Sequence, residues 1–377
     1  MSAFFQWLSN LTPLLQIPII IGVFVAVVGL ILFLVEIAPR RGRVYTIIRL
    51  AVCVAAPALI LLVLESWIEA VIAAAVLGLL FFFLDMRSKE GAGSLFVLVA
   101  FLAPALLLVL VGLIIPAIQT TGQAFMNRNT TEFVGLDNFA WIFTQPQGLR
   151  VVLNTIVWVV IAPVVSTVAG LAYAYFIDKT RGEKYYKILV FLPMAISFVG
   201  ASIIWRFVYT ARPAGQEQIG LANQVIVWLG GEPVNFLAVQ PWNTLFLIVV
   251  LIWVQTGFAM VILSAAIKGV PTEQIEAAEL DGTNGWQRFI NVIVPGIRGS
   301  LIVVLTTISI ASLKVFDIVR TMTAGANNTS VIANEMYTQL RSFEGGRSAA
   351  FAVVLFVLVL PLVIYNAVQL KKQREIR

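Results

Sequence analysis

The sequence predicts an all-α polytopic membrane protein, and two observations support this fold class. Of the 377 residues, 60% are hydrophobic and 12% are charged, and the mean hydropathy is +0.96, whereas soluble domains are about 45–50% apolar. The apolar residues also cluster in runs of about 20, the helix length that crosses a hydrocarbon core of about 30 Å. Each run must be helical, because lipid offers no hydrogen-bond partner to an unpaired backbone.

Three of these runs predict an N-terminal extension, residues 1–93. The predicted helices are Leu14–Val35, Ile47–Leu64 and Ala70–Leu84. No Lys or Arg precedes the first run, so the basic segment of a cleaved signal peptide is absent. The sequence predicts no role for the extension beyond packing against the remaining helices.

Six further runs predict a core over residues 94–377, which makes about nine transmembrane helices in all. The predicted core helices are Ser94–Ile118, Val151–Ile177, Ile188–Tyr209, Trp242–Ile267, Ser300–Val319 and Ala349–Leu370. Pro104 and Pro116 are expected to kink the first of them, which membrane helices tolerate.

The basic residues orient this set of helices. Alternate loops and the C-terminal tail hold 17 of the 25 Lys and Arg residues, and loops rich in Lys and Arg face the cytoplasm. We therefore expect the N-terminus outside and the C-terminus inside, with the loop Lys268–Pro295 in the cytoplasm.

Composition excludes several classes of site. There is no histidine, so imidazole metal sites and histidine proton relays are excluded, and the single cysteine, Cys53, cannot form an intrachain disulfide. No GxxxxGK[ST] phosphate loop is present. The net charge of +6 is explained by cytoplasmic loops and does not indicate nucleic-acid binding. The sequence predicts no catalytic residue, no metal and no cofactor bound by this chain.

Residues Lys268–Pro295, called here the hinge loop, cannot lie in lipid, because they carry six charged side chains between two apolar runs. Their pattern predicts two short helices. Thr272 is expected to cap the first, Glu273–Leu280, and Asp281-Gly282 supplies the glycine favoured just past a helix end.

The second predicted helix carries four apolar residues on one face. Trp286, Phe289, Ile290 and Ile293 have the i, i+3, i+4, i+7 spacing, and Pro295 is expected to stop the helix. Two interpretations compete for this face: it packs on the ends of the protein's own transmembrane helices, or it docks into a partner protein.

The order of residues in the hinge loop resembles the EAA loop of permease subunits of ATP-binding-cassette (ABC) importers. The resemblance rests on Glu276-Ala277-Ala278, Asp281-Gly282, Phe289 and Ile293-Val294-Pro295. In that family the loop forms a coupling helix that inserts into a cleft of the ATPase subunit. The resemblance implies ATPase-coupling roles for Glu276, Ala277, Ala278, Asp281, Gly282, Trp286, Phe289 and Pro295. Val294 and Gly299-Ser300 depart from the family pattern, which often has leucine and a second proline there.

The whole core is similar to the larger permease subunit of sugar importers of the maltose-transporter type, and closest to permeases for α-glucosides. Val134–Phe139 and Leu313–Val319 carry the weaker resemblance to the larger subunit, and Arg320–Tyr337 carries the resemblance to α-glucoside permeases. It implies a prokaryotic cytoplasmic membrane and a second, similar permease subunit. It also implies a cytoplasmic ATPase dimer that binds ATP and Mg²⁺, and an extracytoplasmic binding protein that delivers an oligosaccharide.

Polar and aromatic side chains inside the predicted helices are candidates for the sugar path, since sugars need a flat apolar face and hydrogen bonds. The candidates are Asn154, Trp158, Trp253, Gln255, Thr256, Lys314 and Asp317. Structural roles compete with this one. The tryptophans could be interfacial anchors, Asn154 could bond a neighbouring helix, and Lys314 and Asp317, at i, i+3, could be a neutralised pair that locks helices together.

Two other functions are compatible with a polytopic fold. A secondary transporter driven by an ion gradient usually shows internal repeats and mid-membrane acids. The sequence has no second copy of the hinge-loop pattern, and Asp317 is the only clearly intramembrane carboxylate. A membrane scaffold would need no glycine hinge in a cytoplasmic loop.

Overall fold

The computed structural model describes residues 109–178 and 180–375. Within these ranges the chain is helical, and its only β pairing is an isolated antiparallel bridge between Met126 and Phe133. Residues Gln119–Arg377 form one compact unit. The three helices of the extension and most of Ser94–Ile118 lie outside the described residues. The nine-helix count and the boundary at residue 93 therefore stay predictions.

Thirteen helices are labelled in chain order. They are α1 Ile115–Gln123, α2 Asp137–Thr144, α3 Pro146–Ile177, α4 Glu183–Phe191, α5 Phe198–Val208, α6 Leu221–Trp228, α7 Asn243–Lys268, α8 Thr272–Leu280, α9 Gly285–Gly296, α10 Arg298–Leu313, α11 Asp317–Met322, α12 Ile332–Arg341 and α13 Gly345–Glu375.

Helices α3 and α7 form the centre of the unit and match two predicted core helices, Val151–Ile177 and Trp242–Ile267, to within a few residues. They pack closely where a Cβ on Gly170 would come within 2.5 Å of the Ala259 Cβ. Small residues allow this approach, which in lipid is a main source of helix association. Helix α10 packs on α3 and also contacts α7.

The predicted helix Ile188–Tyr209 is wrong as a single straight element. The segment forms α4, a 3₁₀ turn over Leu192–Ala195 and then α5, with a bend of 104°. Pro193 lies in the 3₁₀ turn and has no N–H for a helical hydrogen bond. Ser197 restarts the helix by accepting a hydrogen bond from the Gly200 N–H.

The predicted helix Ser300–Val319 is also interrupted. Helix α10 ends at Leu313, and α11 begins at Asp317 after a break of three residues. Three described helices, α3, α7 and α13, are long and apolar enough to cross a membrane. The count reaches five if each bent pair, α4 with α5 and α9 with α10, is one span. The last span begins at Gly345, four residues before the predicted Ala349.

Candidate functional site

The N-terminus of α8 differs from the sequence prediction. Its N-cap residue is Pro271, and no side chain caps the first turn. The predicted role of Thr272 as the cap is therefore wrong. The extended backbone of Pro271 (ψ 132°) already makes the turn into the helix, so Thr272 is the first helical residue.

The glycine hinge after α8 is confirmed in its geometry. Gly282 has a φ of +75°, a left-handed conformation that costs other residues about 1–2 kcal/mol. The N–H groups of Gly282 and Thr283 donate to the carbonyls of Glu279 and Ala278 at 3.0 and 3.2 Å. These two bonds make a Schellman motif, so the chain reverses after α8 without leaving those carbonyls unpaired.

Helix α9 is capped and joined to α8 by polar side chains. Asn284 accepts from the Gln287 N–H at 2.8 Å, and the Gln287 side chain accepts from the Asn284 N–H at 2.9 Å, a reciprocal capping box. An ion pair between Glu279 and Arg288 connects the two helices. The hinge loop is therefore a folded pair of helices.

The single apolar face predicted for α9 is divided in the structure. Residues Phe289–Ile293 form a π-helical turn, which changes the angular spacing on which the prediction relied. Ile293 is buried, and Phe289 packs on Tyr175 with ring centroids 4.6 Å apart. Trp286 is 68% exposed, and Ile290 is also exposed.

Helix α8 exposes one apolar side chain that the sequence-based coupling set omits. Leu280 is 89% exposed, and Glu276 and Ala277 are exposed one turn away, whereas Ala278 is buried. Residues 276 and 277 precede Leu280 by four and three positions, and this spacing was the signal available in the sequence. Of the predicted coupling set, the structure exposes Glu276, Ala277, Asp281, Gly282, Trp286 and Pro295.

Two of the predicted path residues, Trp158 and Trp253, belong to one hydrophobic cluster. Trp158 is fully buried, and its indole Nε1 has no acceptor among the described residues. Trp253 is half-buried and packs edge-on against Trp205, with ring centroids 5.9 Å apart. Tyr209 and Phe236 also belong to this cluster. A buried indole donor without a partner is unusual, so this cluster contains an unused hydrogen-bonding group.

Gln255 and Thr256 are not part of that arrangement. Gln255 follows Trp253 by two residues, or about 200° around a helix of 3.6 residues per turn, so the two side chains leave α7 on different sides. Gln255 is half-buried. The Thr256 hydroxyl donates to the Ile252 carbonyl at 2.7 Å within α7.

Asn154 holds a loop at the opposite end of α3 from the hinge loop. Its amide nitrogen donates to the carbonyls of Asn328 and Ser330 at 2.7 and 2.9 Å. Such bonding to a neighbouring segment is one of the structural roles that the sequence left open. Asn327 and Asn328 in the same loop have positive φ values of 55° and 63°, so the side-chain bonds maintain an otherwise unfavourable backbone.

A polar cavity of about 430 Å³ lies beside Asn154. It includes Glu335, which is 3% exposed and was not predicted as a site residue. Gln147, Gln339 and Ser330 donate to the Glu335 carboxylate at 2.8–2.9 Å. Glu335 lies between two predicted transmembrane helices, in a segment whose sequence gave no indication that it would be buried.

Lys314 and Asp317 do not form the predicted i, i+3 pair, because the helix is broken between them. Lys314 is the C-cap residue of α10 and is exposed, and Asp317 begins α11. Neither makes an ion pair within the described residues. The described chain likewise contains no group of three or more His, Cys, Asp or Glu side chains placed to hold a metal ion.

Comparison with known proteins identifies relatives for most of this unit. Residues 153–375 match the family described as binding-protein-dependent transport system inner membrane component. The chain is 48% identical over 270 residues to the alpha-glucoside transport system permease protein AglF of Rhizobium meliloti, covering 71% of this chain and 80% of the relative. It is 45% identical over 278 residues to the osmoprotective compounds uptake permease protein GgtC of Synechocystis, covering 74% and 100%.

Two solved structures share the fold. One is a bacterial ABC transporter involved in the import of the acidic polysaccharide alginate, with a TM-score of 0.63 and 23% identity, covering 73% of this chain and 95% of that chain. The other is a bacterial alginate ABC transporter in complex with an alginate pentasaccharide-bound periplasmic protein, with a TM-score of 0.61 and 23% identity, covering 72% and 92%.

Proposed function

This chain belongs to the family of inner membrane components of binding-protein-dependent transport systems, and from that premise we propose that it is the permease subunit of an ATP-driven importer of neutral α-glucosides. The observation that carries the mechanism is the folded hinge loop. Its capped helices present Leu280, Trp286 and Glu276 outward. An apolar side chain held in water beside a carboxylate is suited to a partner's pocket.

We propose three partners: an ATPase dimer, a second permease and a binding protein. The sequence has no phosphate loop, so ATP and Mg²⁺ are bound by a cytoplasmic ATPase dimer that grips the hinge loop. A second permease completes the path, and an extracytoplasmic binding protein delivers the sugar at the end of the helices near Asn154. For the ATPase to reach the hinge loop, the hinge loop and the C-terminus must both be cytoplasmic.

A neutral oligosaccharide fits the chemistry of the helices. The two relatives are named for alpha-glucoside transport and for the uptake of osmoprotective compounds. Trp253 and Trp205 offer partly exposed flat apolar faces, and aromatic faces together with a few hydrogen-bonding groups are typical of sugar sites. Trp158, which is fully buried, carries an indole N–H without a partner among the described residues. ATP-driven approach of this hinge loop to that of the second permease would open the sugar path to the outside.

We expect Trp253→Ala to raise the sugar concentration that gives half-maximal uptake by about tenfold, because losing one stacking face costs about 1–1.5 kcal/mol. Uptake of radiolabelled maltose and trehalose by cells with equal levels of membrane protein measures this. Leu153→Ala, at an exposed position of α3, is the control. Unchanged uptake by the Trp253→Ala variant removes Trp253 from the path.

The function itself is tested by purifying the complex through a tag on this chain. Adding the binding protein with maltose or trehalose to the reconstituted complex is expected to raise ATP turnover. Uptake that needs an ion gradient and no ATPase would instead identify a secondary transporter.

A further inference from the structure

Five polar side chains form a connected network at the end of the bundle that carries the hinge loop. The Lys187 ammonium lies 2.5 Å from an Asp178 oxygen, 2.6 Å from a Glu183 oxygen and 2.6 Å from the Ser264 hydroxyl. Ser264 lies 3.0 Å from both Asp178 oxygens. Lys268 lies 2.5 Å from the same Glu183 oxygen.

The network has a buried half and an exposed half. The side chains of Asp178 and Lys187 are 11% and 24% exposed, and Ser264 is buried. The Glu183–Lys268 pair is more open, since Lys268 is 54% exposed. Water therefore has little access to the Asp178–Lys187 contact, whereas it can compete with the Glu183–Lys268 contact.

The charges on Glu183 and Lys187 persist over the physiological pH range. Hydrogen bonds from Lys187 and then Lys268 hold the pKa of Glu183 at about 2, well below its usual value. Burial lowers the pKa of Lys187, but the hydrogen bonds and charges of Asp178 and Glu183 outweigh burial and leave it above its ordinary value. Both groups precede Ile188, where the predicted apolar run begins. Their ion pair is therefore present throughout that range.

The network connects three helix ends at the point where the hinge loop starts. Asp178 directly follows α3, Glu183 and Lys187 lie on α4, and Ser264 and Lys268 lie on the last turns of α7. Lys268 is also the first residue of the hinge loop. A displacement of the hinge loop therefore pulls on α7 at Lys268, and the network connects that pull to α3 and α4.

We propose that Asp178, Lys187 and Ser264 are positioning residues that make the ends of α3, α4 and α7 move as one body when the ATPase displaces the hinge loop. This inference rests on the proposed function. Buried ion pairs add little net stability compared with apolar replacements, and in some proteins they specify one arrangement of the elements they join. Without the network, the hinge loop could move without moving the helices, and ATP would be hydrolysed with less sugar transported.

Two variants separate this role from simple stabilisation. Lys187→Gln leaves Asp178 buried without its cation, which destabilises a protein. The double variant Asp178→Asn with Lys187→Gln removes both charges and is expected to restore the amount of assembled complex. Lys187→Arg keeps the charge. Arg128→Gln breaks a different ion pair, with Glu344 at 3.5 Å, and serves as the matched control.

The readout is the number of maltose or trehalose molecules imported per ATP hydrolysed by the reconstituted complex. We expect the double variant to lower this ratio about fivefold or more, the lower end of typical coupling effects, while Lys187→Arg and Arg128→Gln keep the wild-type ratio. A double variant with the wild-type ratio overturns the proposal. If the wild-type complex imports neither sugar and its ATP turnover responds to neither, the proposed substrate class fails first, which is a distinguishable result.

Discussion

Gly282→Pro is expected to reduce co-purification of the ATPase with this chain at least tenfold. Proline requires a φ near −65°, whereas Gly282 has +75°, and it removes the N–H that donates to the Glu279 carbonyl at 3.0 Å. The Schellman motif cannot form, so α8 and α9 lose their relative orientation. We expect at least a tenfold loss of bound ATPase, about 1.4 kcal/mol of binding free energy.

The control for this change is Gly215→Pro. Gly215 also has a positive φ, +86°, with open space around its Cβ position, but it lies between α5 and α6, outside the hinge loop. The Gly215→Pro substitution imposes the same kind of backbone strain at a site outside the proposed ATPase interface. If both variants retain the ATPase, the conformation of the hinge is irrelevant to binding. If both lose it, the effect is a general failure to fold.

Leu280→Asp is expected to weaken ATPase binding by about tenfold to a hundredfold, because burying a leucine contributes about 1.5–3 kcal/mol. Leu280 is 89% exposed in the chain alone, so the change should leave the fold of the permease intact. The measurement is the ATPase retained on the detergent-purified chain as salt and ATPase concentration are varied.

Leu229→Asp is the matched control, since Leu229 is similarly exposed at 83% but follows α6. We expect it to retain the ATPase at the wild-type level. A Leu280→Asp chain that binds the ATPase normally would show that the outward face of α8 does not contact it.

The long apolar helices could be predicted from the sequence because lipid leaves them one conformation. Helices α3 and α7 have 32 and 26 residues, and each contains one uninterrupted predicted run. The hinge was also predictable, because an Asp-Gly pair after a short amphipathic segment has few other solutions.

The breaks in the helices could not be predicted, because hydropathy does not change at them. Pro193 stops α4, yet Pro163 lies inside the continuous α3, so proline alone does not decide between a kink and a break. Hydropathy likewise does not change at the π turn Phe289–Ile293, where Phe289 packs on Tyr175.

The polar site residues were the least predictable. Asn154 was recognisable as an amide in a membrane helix, but its partner carbonyl at Asn328 is 174 residues away. The ion network was hidden for the same reason. Asp178, Glu183 and Lys187 read as an ordinary charged loop, and only the end of α7 brings Ser264 and Lys268 to them.

The central claim is that the hinge loop faces the cytoplasm and is covered there by the ATPase. A Leu280→Cys chain in a Cys53→Ala background has a single thiol, since Cys53 is the only natural cysteine, and it can be treated with a membrane-impermeant maleimide. We predict no labelling in sealed spheroplasts, strong labelling in inside-out vesicles stripped of the ATPase, and protection when the ATPase is restored. Labelling in intact spheroplasts, or equal labelling with and without the ATPase, would contradict the account.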